Sequence, residues 1–161
     1  MLPQITDYIG LMGKLKYNLD RYKKDNNIYE LLDCLMTLNA IPEWIVNSKN
    51  TKTSLTQIAE EKLAIMKGKN GFILDETKLS LNINHQLRLI RLICNHSKHK
   101  TDSILIPRIQ KKYGGTLPAS FPIKLYNIIA IGENEYDAEY LLNSVANFWF
   151  DAVKLENENF K

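Results

Sequence analysis

Residues 28–48 constrain the fold more than any other stretch, because they carry apolar side chains at helical spacing on several sides of one predicted helix. These side chains are Ile28, Leu31, Leu32, Leu35, Met36, Leu38, Ile41, Trp44, Ile45 and Val46. A helix that is apolar over so much of its surface is buried, so we expect it to lie at the centre of a bundle. Pro42 lacks a backbone N–H, which predicts that the helix ends or kinks near Ala40.

Four further stretches have helical periodicity and predict the rest of the bundle. They are residues 6–24, a segment from Thr53 or Ser54 to Gly68 or Gly71, a segment from Asn82 or Asn84 to about Lys98, and residues 136–156. Short β-branched and aromatic runs between Gly and Pro in residues 101–134 predict two or three antiparallel strands. The sequence thus predicts a mainly α fold, a helical bundle of about five helices with a small antiparallel β insertion near residues 101–134.

The composition is that of a soluble globular protein. A chain of 161 residues predicts a single helical domain, residues 1–161, and can bury a core without a metal or a disulfide. The formal net charge of +3 permits nucleic acid as a partner but does not argue for it. Cys34 and Cys94 lie in apolar helical patterns without a CxxC partner, which predicts buried thiols and a cytoplasmic protein. No apolar run reaches the roughly 20 residues that span a bilayer, so we expect no membrane partner.

A polar stripe runs along the fourth predicted helix. It consists of Arg88, Arg91, Asn95 and His99, spaced three, four and four residues apart, with Lys98 and Lys100 next to it. Guanidinium groups bind phosphate through two parallel hydrogen bonds, and imidazole titrates near neutral pH. Such groups can cleave RNA without a metal: a base removes the 2′-hydroxyl proton, an acid protonates the leaving oxygen and a cation stabilises the phosphorane.

His96 has two possible orientations. On a regular helix it lies about 140° from Arg91 and points partly inward, whereas a helix that ends or bulges near Asn95 lets it swing beside Arg91. In a purely structural interpretation, His96 is half-buried and the arginines pair with acidic residues of a neighbouring helix. His96 and His99 could share a metal, but they have cationic neighbours and no nearby carboxylate or cysteine, so we expect no metal and no cofactor.

The segment Arg91-Leu92-Ile93-Cys94-Asn95-His96 has the R-x4-H spacing of the HEPN superfamily of small α-helical ribonucleases and nucleotide-binding domains, which the chain resembles. The resemblance implies a homodimer in which the motifs of the two subunits meet across a shared cleft. It also implies that Arg91 and His96 form the catalytic pair and that Asn95 assists. Many members are toxins or defence ribonucleases, and some bind without cutting. The sequence departs from the family at Leu92, where a polar residue is common.

A looser likeness involves the Glu43-Trp44 pair, the Asn95-x-x-Lys98-His99 segment and the closing Phe148-Trp149 pair. This arrangement is similar to small HEPN-like bacterial and phage proteins of unassigned function. Trp44 and Glu43 could line a site, or Trp44 could belong to the core while Glu43 is solvated.

Two hypotheses follow from the sequence. The first is a HEPN-like RNA-binding protein or metal-independent endoribonuclease of a toxin or phage-defence type. Its acid/base would be His96 or His99, its orienting group Asn95, and its phosphate-binding residues Arg91, Arg88, Lys98 and Lys100. The second is a non-enzymatic dimeric helical-bundle protein that binds a protein partner, such as an antitoxin, with a structural polar stripe. Arg91 and His96 in an open cleft at a two-fold interface would favour the first, and imidazoles buried and paired within one subunit would favour the second.

Overall fold

The computed structural model describes residues 4–98, 106–114 and 124–156, which form five α-helices, three strands and two short 3-10 helices, Lys69–Gly71 and Glu76–Lys78. The helices are α1 (Tyr8–Asp25), α2 (Ile28–Asn47), α3 (Thr53–Met66), α4 (Ile83–Lys98) and α5 (Ala138–Glu156). The strands are β1 (Arg108–Gly114), β2 (Lys124–Ile131) and β3 (Asn134–Asp137). The mainly α fold with a small antiparallel β insertion is therefore confirmed. Residues 101–105 and 115–123 of the predicted insertion lie outside the described residues.

Short polar side chains set the boundary between α1 and α2. The Asp7 side chain accepts a hydrogen bond of 2.8 Å from the Gly10 N–H and so caps the start of α1. Asn26 ends the helix in the left-handed conformation, with a φ of 53°. Asn27 then caps α2 by accepting from the Tyr29 N–H at 2.8 Å. A junction this short makes the two helices neighbours.

Helix α2 is the centre of the bundle, as its apolar pattern predicts, because it contacts each of the other four helices. Its fully buried side chains are Leu31, Cys34, Leu35, Leu38, Ile41 and Ile45. These residues join a hydrophobic core cluster to which α1, α3, α4 and α5 also contribute. Burial on several sides explains why the run is apolar well beyond one helical stripe.

Pro42 predicts that α2 ends or kinks near Ala40; the helix does not end there, because it continues through Pro42 to Asn47. Proline removes one hydrogen bond to the preceding turn. Ile41, Pro42 and Ile45 are all buried, and the burial of these apolar groups favours continuation of the helix. Tertiary packing thus outweighs the local preference.

The three strands form one antiparallel sheet in the order β1-β2-β3. Ile129 and Ile131 of β2 are buried in the core together with residues of α5. Pro107, just before β1, lies beside the last turns of α4, where it shares a cavity wall with Ile93 and His96. The insertion therefore forms one side of the region around the end of α4.

Candidate nucleic-acid site on helix α4

Helix α4 has the apolar face that its sequence predicts. Asn82 starts the helix, and its side chain accepts from the Asn84 N–H at 2.9 Å. The predicted inward residues Leu87, Leu89, Ile90, Ile93 and Cys94 are all buried. This face contacts α2, α3 and α5, so the polar stripe lies along the edges of those contacts.

Arg88 is held at the end of α3. Its Nη1 donates a hydrogen bond of 2.6 Å to the carbonyl oxygen of Met66, the last residue of α3. The guanidinium also covers Gly68, which has a φ of +68°. Burial, and then the positive charge of Arg91, lower the pKa of Arg88 from its ordinary value. A cation at this position satisfies an orphan carbonyl and complements the helix dipole, so Arg88 stabilises the fold.

Arg91 belongs to a charged group between α2, α3 and α4 that we call the Glu43 cluster, formed by Asn39, Glu43, Lys67 and Arg91. The Arg91 Nη1 lies 3.4 Å from the Asn39 side-chain oxygen and 3.9 Å from Glu43 Oε1. The Lys67 Nζ lies 3.4 Å from the same Glu43 oxygen. Two cations therefore share one carboxylate, and the cluster carries a net positive charge.

His96 lies on another side of α4. Because α4 is helical as far as Lys98, the alternative in which it ends near Asn95 is wrong, and five residues separate His96 from Arg91 by about 140° around the axis. The half-buried His96 side chain lines an open cavity of about 440 Å³ together with Ile93, Pro107, Arg108, Ile109 and Gln110. Arg91 contacts α2, whereas His96 faces the start of β1. A single subunit therefore places the two members of the R-x4-H motif against different neighbours.

The remaining residues of the polar stripe lie at the carboxyl end of α4. Asn95 is half-buried one turn after Arg91. His99 and Lys100 lie outside the described residues, as does the side chain of Lys98. The roles predicted for these three residues stay predictions.

Asn39 and Lys67 are members of the Glu43 cluster that the sequence interpretation missed. Asn39 is a buried polar residue, with 6 % of its surface exposed, in an otherwise apolar turn of α2. A polar residue inside a run predicted to be buried requires a partner, and this signal could have pointed to it. Lys67 gives no comparable signal, because its role depends on how α3 packs beside α2.

The Glu43-Trp44 pair lines a cavity, and Trp44 also packs against the hydrophobic core. The cavity has a volume of about 560 Å³ and lies between the start of α1 and the last turns of α2. Trp44 is half-buried, and 44 % of the Glu43 side chain is exposed. Both side chains are therefore partly buried and partly exposed to solvent.

His85 has a structural role. Its Nδ1 accepts a hydrogen bond of 3.0 Å from the Asp75 N–H, and its ring lies 4.9 Å from the ring of Phe72. Burial lowers the pKa of His85 from its ordinary value of 6.5, although the negative charge of Asp75 acts in the opposite direction. An imidazole nitrogen that accepts from a backbone N–H carries no proton, and the His85 side chain is buried.

Within the described residues, no group of three or more His, Cys, Asp or Glu side chains could hold a metal ion. The same part of the chain contains no helix with the length and apolar character needed to cross a membrane. Comparisons of the chain with protein-family models, with curated proteins and with solved structures find no match.

Proposed function

We propose that the chain is an RNA-binding protein with metal-independent endoribonuclease activity, of the HEPN-like toxin or phage-defence type, and that His96 is its acid/base. The observation that carries this proposal is the position of His96 on the wall of an open cavity of about 440 Å³. The exposed Arg108 lines the same cavity, so a histidine and an arginine border one space large enough for a phosphate. Both groups are suited to phosphoryl chemistry.

The reaction needs no electron transfer and no metal. A base takes the proton of the 2′-hydroxyl, whose oxygen attacks the adjacent phosphorus, and an acid gives a proton to the departing 5′-oxygen. The products are a 2′,3′-cyclic phosphate and a free 5′-hydroxyl. His96 performs one of the two proton transfers, and Arg108 stabilises the negative charge that grows on the phosphorane.

The second proton-transfer group and the Arg91 guanidinium come from the homodimer that the HEPN resemblance implies. Within one subunit Arg91 contacts Asn39 and Glu43, on a different side of α4 from His96. A two-fold arrangement that brings the ends of two α4 helices together would gather both motifs, with Asn95, Lys98, His99 and Lys100, in one cleft. As part of the same proposal we place the protein in the cytoplasm, because Cys34 and Cys94 are buried and form no disulfide.

The test is cleavage of a labelled RNA pool in EDTA by the wild type, His96→Ala, Arg108→Ala and the exposed-site control Lys16→Ala. We expect His96→Ala to reduce cleavage by about 100-fold or more, because general acid–base catalysis contributes about that much. Arg108→Ala should lose less, and Lys16→Ala should cut like the wild type. If the folded wild type cuts no RNA in the pool, or His96→Ala cuts at the wild-type rate, the enzymatic proposal is wrong.

One observation favours a second candidate, a non-enzymatic dimeric helical-bundle protein that binds a protein partner. Arg88 and Arg91 are both engaged within the bundle, at the end of α3 and in the Glu43 cluster. The salt dependence of RNA affinity separates the candidates. Phosphate contacts on single strands lower log K by about 0.7 per neutralised phosphate for each unit of log salt, whereas a protein that does not bind RNA gives no such slope.

A further inference from the structure

The Glu43-Trp44 cavity combines the groups that recognise a nucleobase. Trp44, Asn47 and Lys49 line its volume of about 560 Å³, together with two acidic residues, Glu43 and Asp7. The Asp7 side chain is engaged as the cap of α1. Base stacking on an aromatic side chain is a general way to hold single-stranded nucleic acid. The cavity is separate from the one that His96 lines, because the two share no residue.

The Glu43 carboxylate is arranged to accept hydrogen bonds from a ligand. Lys67 and Arg91 both approach Oε1, at 3.4 and 3.9 Å. Among the described residues, no hydrogen bond or ion pair to Oε2 is found, and 44 % of the side chain is exposed. A carboxylate has about four lone-pair positions, so the carboxylate can accept two parallel hydrogen bonds while its Oε1 remains near the two cations.

We propose that this cavity binds the guanine base of single-stranded RNA, with Trp44 as the stacking platform and Glu43 as the acceptor for its Watson–Crick edge. Guanine is the only common base with two adjacent donors on that edge, N1–H and the N2 amino group. Adenine and cytosine place an acceptor nitrogen there, which a carboxylate repels. Uracil offers one N–H between two carbonyl oxygens and is repelled in the same way.

The cations of the Glu43 cluster fit the same ligand. Lys67 and Arg91 lie beside the carboxylate, with 35 % and 22 % of their side chains exposed. Lys67 can neutralise the phosphate that is attached to a base bound at Glu43, and Lys49 lies on the cavity wall itself. The guanine site rests on the proposed RNA function and adds to it a preference for guanine.

The test uses tryptophan fluorescence with four mononucleotides: GMP, IMP, AMP and UMP. The chain has two tryptophans; Trp149 is fully buried and Trp44 is half-buried, so a bound base should quench Trp44. We expect GMP to bind most tightly. IMP, which lacks the 2-amino group, should bind about tenfold more weakly, since the paired hydrogen bonds then become a single one. AMP and UMP should bind more weakly still.

Two variants locate the effect, and a third is the matched control. Trp44→Leu should remove the quenching, and Glu43→Gln should reduce the preference for GMP over AMP by about tenfold, because an amide presents one acceptor and one donor in place of two acceptors. Glu60→Gln removes one exposed carboxylate of α3 and should leave the preference unchanged. Circular dichroism confirms that each variant is folded.

The outcomes separate the guanine site from the RNA function. If no nucleotide quenches the folded wild type, or if all four quench equally, the guanine proposal is wrong. The affinity for RNA hexanucleotides then tests the RNA function itself. Equal affinity for G-containing and G-free strands would support RNA binding and contradict the guanine site. If the protein binds GMP selectively but binds no hexanucleotide, the guanine site is supported and the RNA function is wrong.

Discussion

The two ends of the polar stripe on α4 have similar side chains and different surroundings. At the amino end, Arg88 donates to the last carbonyl of α3, and Arg91 lies in the Glu43 cluster. Toward the carboxyl end, His96 lines an open cavity with the first residues of β1. The first end faces packed helices that offer carbonyl and carboxylate oxygens, and the second faces an open cavity. Polar side chains of one helix thus meet different surroundings, because the neighbouring elements decide what each side chain contacts.

The largest expected effect on stability concerns two arginines, Arg88 at the end of α3 and Arg108 at the cavity that His96 lines. Arg88→Ala removes a charged hydrogen bond from a half-buried site at the end of α3, and we expect it to lower the free energy of unfolding by about 2 kcal/mol. Arg108→Ala removes an exposed side chain and should change it by less than about 0.5 kcal/mol. Urea unfolding measures both values. Equal losses in the two variants would contradict the structural role of Arg88.

A pair of histidines gives the next largest effect. His85→Ala removes the acceptor for the Asp75 N–H and the contact with Phe72, and we expect a loss of about 1.5 kcal/mol in the free energy of unfolding. His96→Ala, at the cavity wall, should be less destabilising. Urea unfolding at pH 8 measures the free energy of unfolding of both variants. A greater loss in His96→Ala than in His85→Ala would contradict the prediction.

The same histidine predicts a pH dependence. Burial lowers the pKa of His85 below 6.5 in the folded state, so the unfolded chain binds the proton more tightly. The contribution of His85 to stability is therefore complete above pH 6.5 and is lost as the pH falls from 6.5 toward the lower pKa of the folded state. Unfolding at pH 8, 6.5 and 5.5 should show this decline in the wild type, and His85→Ala should lack that part of it. If His85→Ala shows the same loss of stability as the wild type, other titrating groups cause the decline.

The smallest expected effect concerns the ion pair of Arg91 and Glu43. Their closest atoms are 3.9 Å apart and the Glu43 side chain is 44 % exposed, so we expect a coupling of only about 0.5 kcal/mol. A double-mutant cycle with Arg91→Met and Glu43→Gln measures the coupling free energy. A coupling near 2 kcal/mol would mean that Arg91 is as firmly structural as Arg88, and it would weaken the proposal that Arg91 serves RNA.

Much of the fold could be predicted from local patterns. The apolar face of α4 and the central position of α2 both follow from residue type and spacing within a few turns. Pro42 is the exception, because burial of the residues around it favours the continued helix, and burial depends on other elements. For the candidate site, the sequence indicated the stripe on α4 and the Glu43-Trp44 pair but not what each side chain contacts.

By itself, the sequence determined the approximate positions of the five helices and the apolar face of α4, because periodicity is a property of neighbouring residues. Only the tertiary structure decided that Arg91 meets Asn39, 52 positions away, that Arg88 meets Met66, 22 positions away, and that His96 faces β1. Helical geometry fixes the direction of a side chain from its own backbone. The atom that it meets belongs to a distant segment, whose position is set by the packing of the whole bundle.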